Sequence, residues 1–222
     1  MALFYSGRVM RSGNTSRPKA RKHSKQTKTN KSVQVLSSKT PFKGKVFHVT
    51  SDRVLEPNGV TAVRDIVRHS GSAVVLAVDD SQSEPRVLLE RQYRYAADDY
   101  LWEVPAGRID PREKPLAAAK RELLEETGYR AKSWQKALFF YPSPGFMDET
   151  MTVFLASGLK SGEARPEEDE RIEYELMPLS RAIAMVLSGE IRDGKTIAAL
   201  LWFQQRRRGQ GLACSADSEQ PQ

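Results

Sequence analysis

Apolar and polar residues alternate along much of the chain from about residue 44 onward, and this period of two predicts β-strands. The first two alternating stretches, Val46–Val49 and Val60–Val67, flank Glu56–Gly59. Because a Pro-Asn-Gly run of this kind favours a tight turn, the two stretches predict a β-hairpin.

Runs of aliphatic and β-branched residues predict six further strands of a mixed sheet. They lie at Ser72–Val78, Arg86–Tyr95, Tyr100–Val104, Ala137–Tyr141, Thr150–Leu155 and Ile172–Met177. Helices are predicted at Pro115–Thr127, Leu179–Ser188 and Thr196–Arg207. Pro115 suits a first helical position, and Gly128 suits the left-handed residue after a helix. The elements together predict an α/β chain of the α+β class.

An even spread of apolar residues between Gly44 and Arg207 predicts one folded domain. We expect residues 1–40 to form a basic, disordered tail, residues 41–70 a β extension, residues 71–208 the main domain and residues 209–222 a second disordered tail. The chain has no apolar stretch near the roughly 20 residues of a membrane span. Its single cysteine, Cys214, has no partner for a disulfide, so we expect a cytoplasmic protein.

The net charge of +7 belongs to the N-terminal tail. Residues 1–31 contain nine Lys or Arg and no Asp or Glu, so the rest of the chain carries 7 − 9 = −2. A basic arm that binds RNA is one interpretation of this segment. No aromatic residues lie among the charges of Ser12–Lys39 to stack on bases, so we favour a solvated tail without nucleic acid.

Three glutamates of the first predicted helix are the clearest candidates for chemistry. Glu122, Glu125 and Glu126 lie at positions i, i+3 and i+4, which places them on one face. Such a cluster of oxygen ligands suits Mg²⁺ or Mn²⁺. A solvated acidic face is the alternative, and three glutamates by themselves do not exclude it.

The wider spacing around this helix resembles the Nudix box over its full 23 positions. The specified positions are Gly107, Glu113, Arg121, Glu122, Leu123, Glu125, Glu126, Gly128 and Tyr129. Only Tyr129 departs slightly, since an aliphatic residue is common there. At background frequencies of about 5 to 7% per specified position, a chance match is rarer than roughly one in a million.

The resemblance implies a Nudix fold, in which a mixed sheet lies between helices. It implies that Glu122 and Glu126 are the principal metal ligands, that Glu125 is a further ligand or an outer acid, and that the carbonyl of Ala106 is another ligand. The metal would neutralise diphosphate oxygens and help to generate hydroxide, and water would attack phosphorus. We expect Arg121 to pair with Glu125 and orient it. Glu113 is interpreted as a structural acid.

Two further stretches resemble ADP-ribose pyrophosphatases: Tyr141–Glu149, and Arg91–Arg94 followed by Glu103–Gly107. The resemblance makes Pro144 part of a specificity loop, although a plain Pro-Gly turn explains it equally. Arg94 is predicted to donate to a phosphate oxygen, with an exposed edge-strand arginine as the alternative. Glu103 is predicted to accept hydrogen bonds from the ribose or base of the substrate, or else to be an outer acid of the metal site.

The acidic run Pro166–Ile172 falls where this subfamily carries a loop with the general base. Glu168 is the preferred base, Glu170 the second choice and Glu149 the third. A solvated acidic loop is the alternative. In the same subfamily, strands before the core are exchanged between two subunits. We therefore expect a homodimer through Ser32–Arg68, with Arg68 or an aromatic residue of the partner near the adenine.

The leading hypothesis is hydrolysis of ADP-ribose to AMP and ribose 5-phosphate. Another nucleoside diphosphate derivative, such as ADP-glucose, GDP-mannose or an oxidised nucleoside diphosphate, is the nearer alternative. A sensor that binds ADP-ribose without turnover is an alternative of another class. It is disfavoured because the box keeps all its carboxylates.

Overall fold

The structure is a computed structural model that describes residues 32–164 and 172–216. Its strands are β1 (Gln34–Lys43), β2 (His48–Leu55), β3 (Thr61–Arg68), β4 (Ser72–Asp79), β5 (Arg86–Arg94), β6 (Asp99–Glu103), β7 (Ala106–Arg108), β8 (Arg130–Phe140), β9 (Met151–Lys160) and β10 (Glu173–Pro178). Its helices are α1 (Pro115–Thr127), α2 (Leu179–Ser188) and α3 (Gly194–Ala216).

The strands form two separate sheets. β1, β2 and β3 make an antiparallel sheet in chain order, and the Glu56–Gly59 turn closes the predicted hairpin between β2 and β3. The second sheet has the order β10-β5-β4-β9-β8, with β6 added to β5 and β7 added to β4. β4 and β9 run parallel while their other neighbours are antiparallel, which confirms the predicted mixed sheet.

The core lies on both faces of the larger sheet. On one face Ala119 and Leu123 of α1 pack with Val75 and its neighbours. On the other face Ile183 of α2 and Leu200 of α3 belong to a larger apolar cluster. Each fully buried aliphatic side chain contributes about 1.5–3 kcal/mol relative to an exposed one. The predicted architecture of a sheet between helices is confirmed.

The boundaries of the two predicted tails were wrong. Residues 34–40, assigned to the N-terminal tail, belong to β1, whose side chains are all exposed, so no pattern of burial marks it as a strand. β1 is instead held by its backbone pairing with β2. At the other end α3 continues to Ala216, into the predicted tail 209–222. The remaining tail residues, 1–31 and 217–222, lie outside the described part of the chain.

Several strands also differ from the prediction, and β2 and β9 continue six and five residues past their predicted ends at Val49 and Leu155. β7 has only three residues, too few to show an alternating pattern. β8 begins at Arg130, seven residues before the predicted start at Ala137, because its first half is largely exposed. Within the described residues, no helix is both long and apolar enough to cross a membrane.

Candidate functional site

Helix α1 presents its glutamates to a cleft of about 500 Å³. Buried Ala118, Ala119 and Leu123 fix one face of the helix on the sheet. Gly128 ends it in the left-handed conformation (φ 73°), and its N–H donates to the carbonyl of Leu124 at 2.9 Å. On the adjoining face three carboxylates line the cleft, which we call the acidic wall: Glu122, Glu125 and Glu126.

Gly107 of β7 allows Glu122 to lie directly against the backbone. A Cβ atom at residue 107 would be 2.0 Å from the Cδ and Oε1 atoms of Glu122, closer than any real contact. β7 itself pairs with β4 and places Gly107 opposite Ala73. The first glycine of the box therefore leaves a space, which we call the cradle, for the Glu122 carboxylate. A larger residue at position 107 would fill that space.

Arg121 ties the acids of this segment together. Its Nη1 donates to Glu122 at 2.7 Å and to Glu125 at 3.1 Å, and the latter bond confirms the predicted pair. Glu113 accepts from Nε and Nη2 of Arg121 at 3.1 and 3.0 Å and from the backbone N–H of Asp110. The hydrogen bonds from Arg121 lower the pKa of Glu113. Glu113 therefore has the structural role predicted for it.

Glu126 connects the acidic wall to Ala106. The backbone N–H of Ala106 donates to Oε2 of Glu126 at 3.2 Å, and both residues line the cleft. The structure thus brings all four predicted metal ligands into one cleft, and their donor atoms are all oxygens, which fits a hard divalent cation. Among the residues described, no three acidic, His or Cys side chains already converge as a metal site. Arg121 engages two of these acids in this arrangement.

A second set of charges lines the same cleft. Arg94 and Lys195 are two of its lining residues, and both bind the buried carboxylate of Glu103, which is 1% exposed. Arg94 donates Nε to Oε1 at 2.7 Å and Nη2 to Oε2 at 2.8 Å, and Nζ of Lys195 donates to Oε2. We call Arg94 and Lys195, held by Glu103, the basic wall.

The basic wall changes the interpretation of Glu103. Burial alone would raise the pKa of Glu103, but its hydrogen bonds with Arg94 and the charge of Lys195 lower the pKa overall. Both oxygens of Glu103 therefore already accept hydrogen bonds from these cations.

Sequence reasoning missed Lys195. A lysine in the first turn of a helix is unfavourable, and this unfavourable position was the signal that could have identified it.

Glu90 lies directly across the β5–β6 ladder from Glu103 and is also buried. Neither of its oxygens has a hydrogen-bond partner among the described residues. Burial and the negative charge of Glu103 raise the pKa of Glu90 to about 8. Sequence reasoning missed this residue too, and the signal was an acid directly after the apolar run Val87–Leu89.

Comparisons with known proteins place the chain in a family. A NUDIX domain model matches residues 68–200, more than half of the sequence. ADP-ribose pyrophosphatase of Bacillus subtilis is 39% identical over 173 residues, covering 77% of this chain and 92% of that protein. The chain belongs to the Nudix family. Hydrolases of this family generally depend on a divalent metal.

Two further likenesses bear on the substrate and on the fold of this Nudix protein. A GDP-mannose pyrophosphatase of Salmonella paratyphi B is 37% identical over 150 residues, covering 64% of this chain and 77% of that protein. A solved structure described as an ADP compounds hydrolase has a TM-score of 0.71 at 24% identity, covering 83% of this chain and 99% of that one. At that identity the second likeness supports the fold alone.

Two other residues predicted for the Nudix site, Arg68 and Pro144, do not line the cleft. Arg68 binds Asp52 at 2.6 Å and Asp148 at 3.1 Å and lines a second cavity of about 680 Å³. The two cavities share Lys45, Val46, His69 and Arg108. Pro144 is exposed in a turn and lines neither cavity. Glu168 and Glu170 lie outside the described residues.

Glu149, the third candidate for the base, does line the cleft. Its Oε1 accepts a hydrogen bond from Oγ of Ser72 at 2.6 Å and lies 3.5 Å from Nδ1 of His69. Both contacts come from the segment that leads into β4. The hydrogen bond from Ser72, the first residue of β4, therefore fixes the Glu149 carboxylate in the cleft.

Proposed function

We propose that this Nudix hydrolase cleaves the diphosphate bond of ADP-ribose, giving AMP and ribose 5-phosphate, with Mg²⁺ as its metal. The observation that carries the proposal is the meeting of the acidic wall and the basic wall in one cleft. A diphosphate needs both a metal held by carboxylates and cations that bind its free oxygens. The name of the Bacillus subtilis relative supports ADP-ribose among the diphosphates.

Glu122 and Glu126 would hold the metal, with Glu125 and the carbonyl of Ala106 as further ligands. When bound, Mg²⁺ neutralises phosphate oxygens and lowers the pKa of water bound to it. Mn²⁺ offers similar chemistry to the same oxygen ligands. In this proposal Arg121 releases Glu122 and Glu125 to the metal while keeping its two bonds to Glu113. Glu113 thereby holds the guanidinium beside the site.

Glu168 is proposed as the general base, with Glu170 as the second choice. The support is that the described residues leading into their loop, up to Ala164, lie next to Gly128, the residue that ends α1. A Cβ atom at Gly128 would be 2.6 Å from the backbone nitrogen of Ala164. Replacing each acid by glutamine tests the assignment. A near-normal rate in Glu168→Gln with loss in Glu170→Gln would move the role by two residues, and normal rates in both would reject the loop.

For substrate binding we propose that Arg94 donates to a phosphate oxygen. Glu103 is proposed to act through Arg94 and Lys195, the role that its two bonds to Arg94 support. Arg68 and Pro144 are proposed to contact the nucleoside. For Arg68 the support is its position in the cavity that adjoins the cleft. Pro144 rests on the resemblance of its loop alone.

We propose a homodimer formed through the sheet of β1 to β3. The support is a set of exposed apolar side chains on this sheet and its edges: Val33, Val35, Leu36, Phe42, Val46, Phe47, Val60 and Val63. Light scattering of the wild type and of Val35→Lys with Val63→Lys tests it. A dimer converted to a monomer is the expected result, and a monomeric wild type would contradict the proposal. A cytoplasmic location remains a prediction.

GDP-mannose is the second candidate substrate because a relative carries that name. Phosphate-coupled assays with ADP-ribose, ADP-glucose, GDP-mannose and 8-oxo-dGDP separate the candidates. The highest kcat/KM is expected for ADP-ribose. A preference for another nucleotide of at least tenfold would replace the proposed substrate, and tight binding of ADP-ribose without turnover would favour a sensor.

A further inference from the structure

We infer that Lys195 is a substrate-binding residue: with Arg94 it receives the free oxygens of the substrate diphosphate, and Glu103 positions both cations. The inference rests on the proposed cleavage of a diphosphate. It extends the site to the first turn of α3, more than sixty residues beyond the end of the box.

The first turn of α3 is fixed to the end of β6. Asp193 accepts hydrogen bonds from the backbone N–H and the hydroxyl of Thr196, at 2.9 and 2.6 Å. The hydroxyl of Thr196 in turn accepts from the backbone N–H of Val104 at 2.8 Å. This connection places Lys195 beside Glu103, the residue that precedes Val104, and so fixes where its ammonium lies.

Lys195 occupies a position that is unfavourable for a lysine. Its side chain is only 9% exposed, and it lies where the dipole of α3 repels a positive charge. Glu103 offsets this cost, and Asp193 lies 3.2 Å from Nζ. A lysine with a purely structural role would only need to neutralise Glu103 and Asp193. A lysine that also binds a ligand must keep an N–H donor for that ligand.

Both cations of the basic wall do keep such a donor. Glu103 takes Nε and Nη2 of Arg94, and Nη1 has no hydrogen-bond partner among the described residues. An ammonium has three N–H donors; that of Lys195 donates a hydrogen bond to Glu103 and forms an ion pair with Asp193 at 3.2 Å. The remaining donors belong to side chains that line the cleft, where Arg94 is 39% exposed.

The charges of the cleft specify an anion with several oxygens. The negative charge of Glu126 acts on Arg94, so the two walls already interact electrostatically. A ligand that joins them must present oxygens to a metal on the acidic wall and to N–H donors on the basic wall. A diphosphate does so with its negatively charged non-bridging oxygens, whereas a neutral sugar or base brings no negative charge to the two cations.

The test uses methylenediphosphonate, a diphosphate analogue with a P–C–P link that hydrolysis does not break. Its affinity is measured by calorimetry in Mg²⁺ for the wild type, Lys195→Met, Lys195→Arg and Glu103→Gln. We expect at least tenfold weaker binding in Lys195→Met and a smaller loss in Glu103→Gln. Lys195→Arg should keep affinity within a few fold, since it keeps the charge. The control Lys160→Met removes an exposed lysine on β9 and should bind like the wild type.

Unchanged affinity in folded Lys195→Met overturns the inference. Circular dichroism reports folding, and Lys195→Gln, which keeps a donor for Glu103, decides the question if the methionine variant unfolds. The KM and kcat for ADP-ribose are measured in parallel. No turnover of ADP-ribose together with Lys195-dependent binding of the analogue would reject the proposed substrate and keep the inference. Turnover of ADP-ribose together with analogue binding that does not depend on Lys195 would keep the proposed substrate and reject the inference.

Discussion

The two walls of the cleft are built in different ways. The acidic wall comes from one helix: Gly107 forms the cradle shortly before α1, and Arg121 of α1 itself, held by Glu113, binds two of its carboxylates. The basic wall joins Arg94 of β5 and Glu103 of β6 to Lys195 of α3, across about a hundred positions of chain. A local helical spacing fixes the first wall, whereas only the complete fold assembles the second. The proposed metal ligands were therefore predicted from the sequence, whereas of the two cations proposed to bind the diphosphate only Arg94 was predicted.

The largest effect is expected from breaking the acidic wall at Glu126. Glu126→Gln keeps the size of the side chain but removes the charge of a proposed principal metal ligand. We expect kcat/KM for ADP-ribose in Mg²⁺ to fall by more than about a hundredfold, beyond the 10–100-fold typical of outer-shell partners of a metal. Steady-state kinetics measure the loss, and Glu175→Gln, a half-buried acid on β10 that does not line the cleft, is the control. Normal turnover in Glu126→Gln would remove Glu126 from the metal site.

A somewhat smaller effect is expected from filling the cradle under Glu122. The backbone of Gly107 does not have a positive φ, so alanine is excluded only by its Cβ, which would be 2.0 Å from Glu122. Gly107→Ala must displace that carboxylate, and we expect kcat/KM to fall about 10–100-fold, the range for misplaced supporting residues. Gly209→Ala, where a Cβ meets nothing within 4 Å, should leave the rate unchanged. Equal rates in both variants would contradict the cradle.

The smallest effect is expected on stability, at Glu90, the buried acid opposite Glu103 on the β5–β6 ladder. The pKa of Glu90 in the folded protein, about 8, lies above its ordinary value of 4.5, so the folded state favours the protonated form. The stability that this proton provides is complete below about pH 4.5 and is lost as the pH rises toward 8. The groups that act on Glu90 are the charges of Glu103, Lys195 and Arg94, together with a side-chain contact from Glu126 that lowers its pKa.

Glu90→Gln removes this pH dependence because glutamine stays neutral. Its free energy of unfolding should match that of the wild type near pH 5 and exceed it at pH 8.5 by an amount on the order of a few kcal/mol. Urea unfolding at the two pH values measures the difference. A constant difference between the variants at both pH values would show that Glu90 is ionised throughout.

The sequence predicted elements well where burial follows a regular period. α1 and α2 have the predicted bounds, because each buries one face and ends at a left-handed glycine. β1 was missed because none of its side chains is buried. The spacing of the box acids along one helix placed them on one face, and the resemblance to the Nudix box implied their metal role. Lys195 and Glu90 were not predicted, because the role of each depends on its closeness to Glu103. The β5–β6 register brings Glu90 opposite Glu103, and the hydrogen bond between Val104 and Thr196 brings Lys195 beside it.

The most direct test of the central claim is to follow the products of ADP-ribose with purified protein in Mg²⁺ and in excess EDTA. Chromatography should show AMP and ribose 5-phosphate in equal amounts with Mg²⁺, neither product with EDTA, and recovery when Mg²⁺ is restored. Intact ADP-ribose in Mg²⁺, or the same rate of hydrolysis in EDTA, would contradict the account.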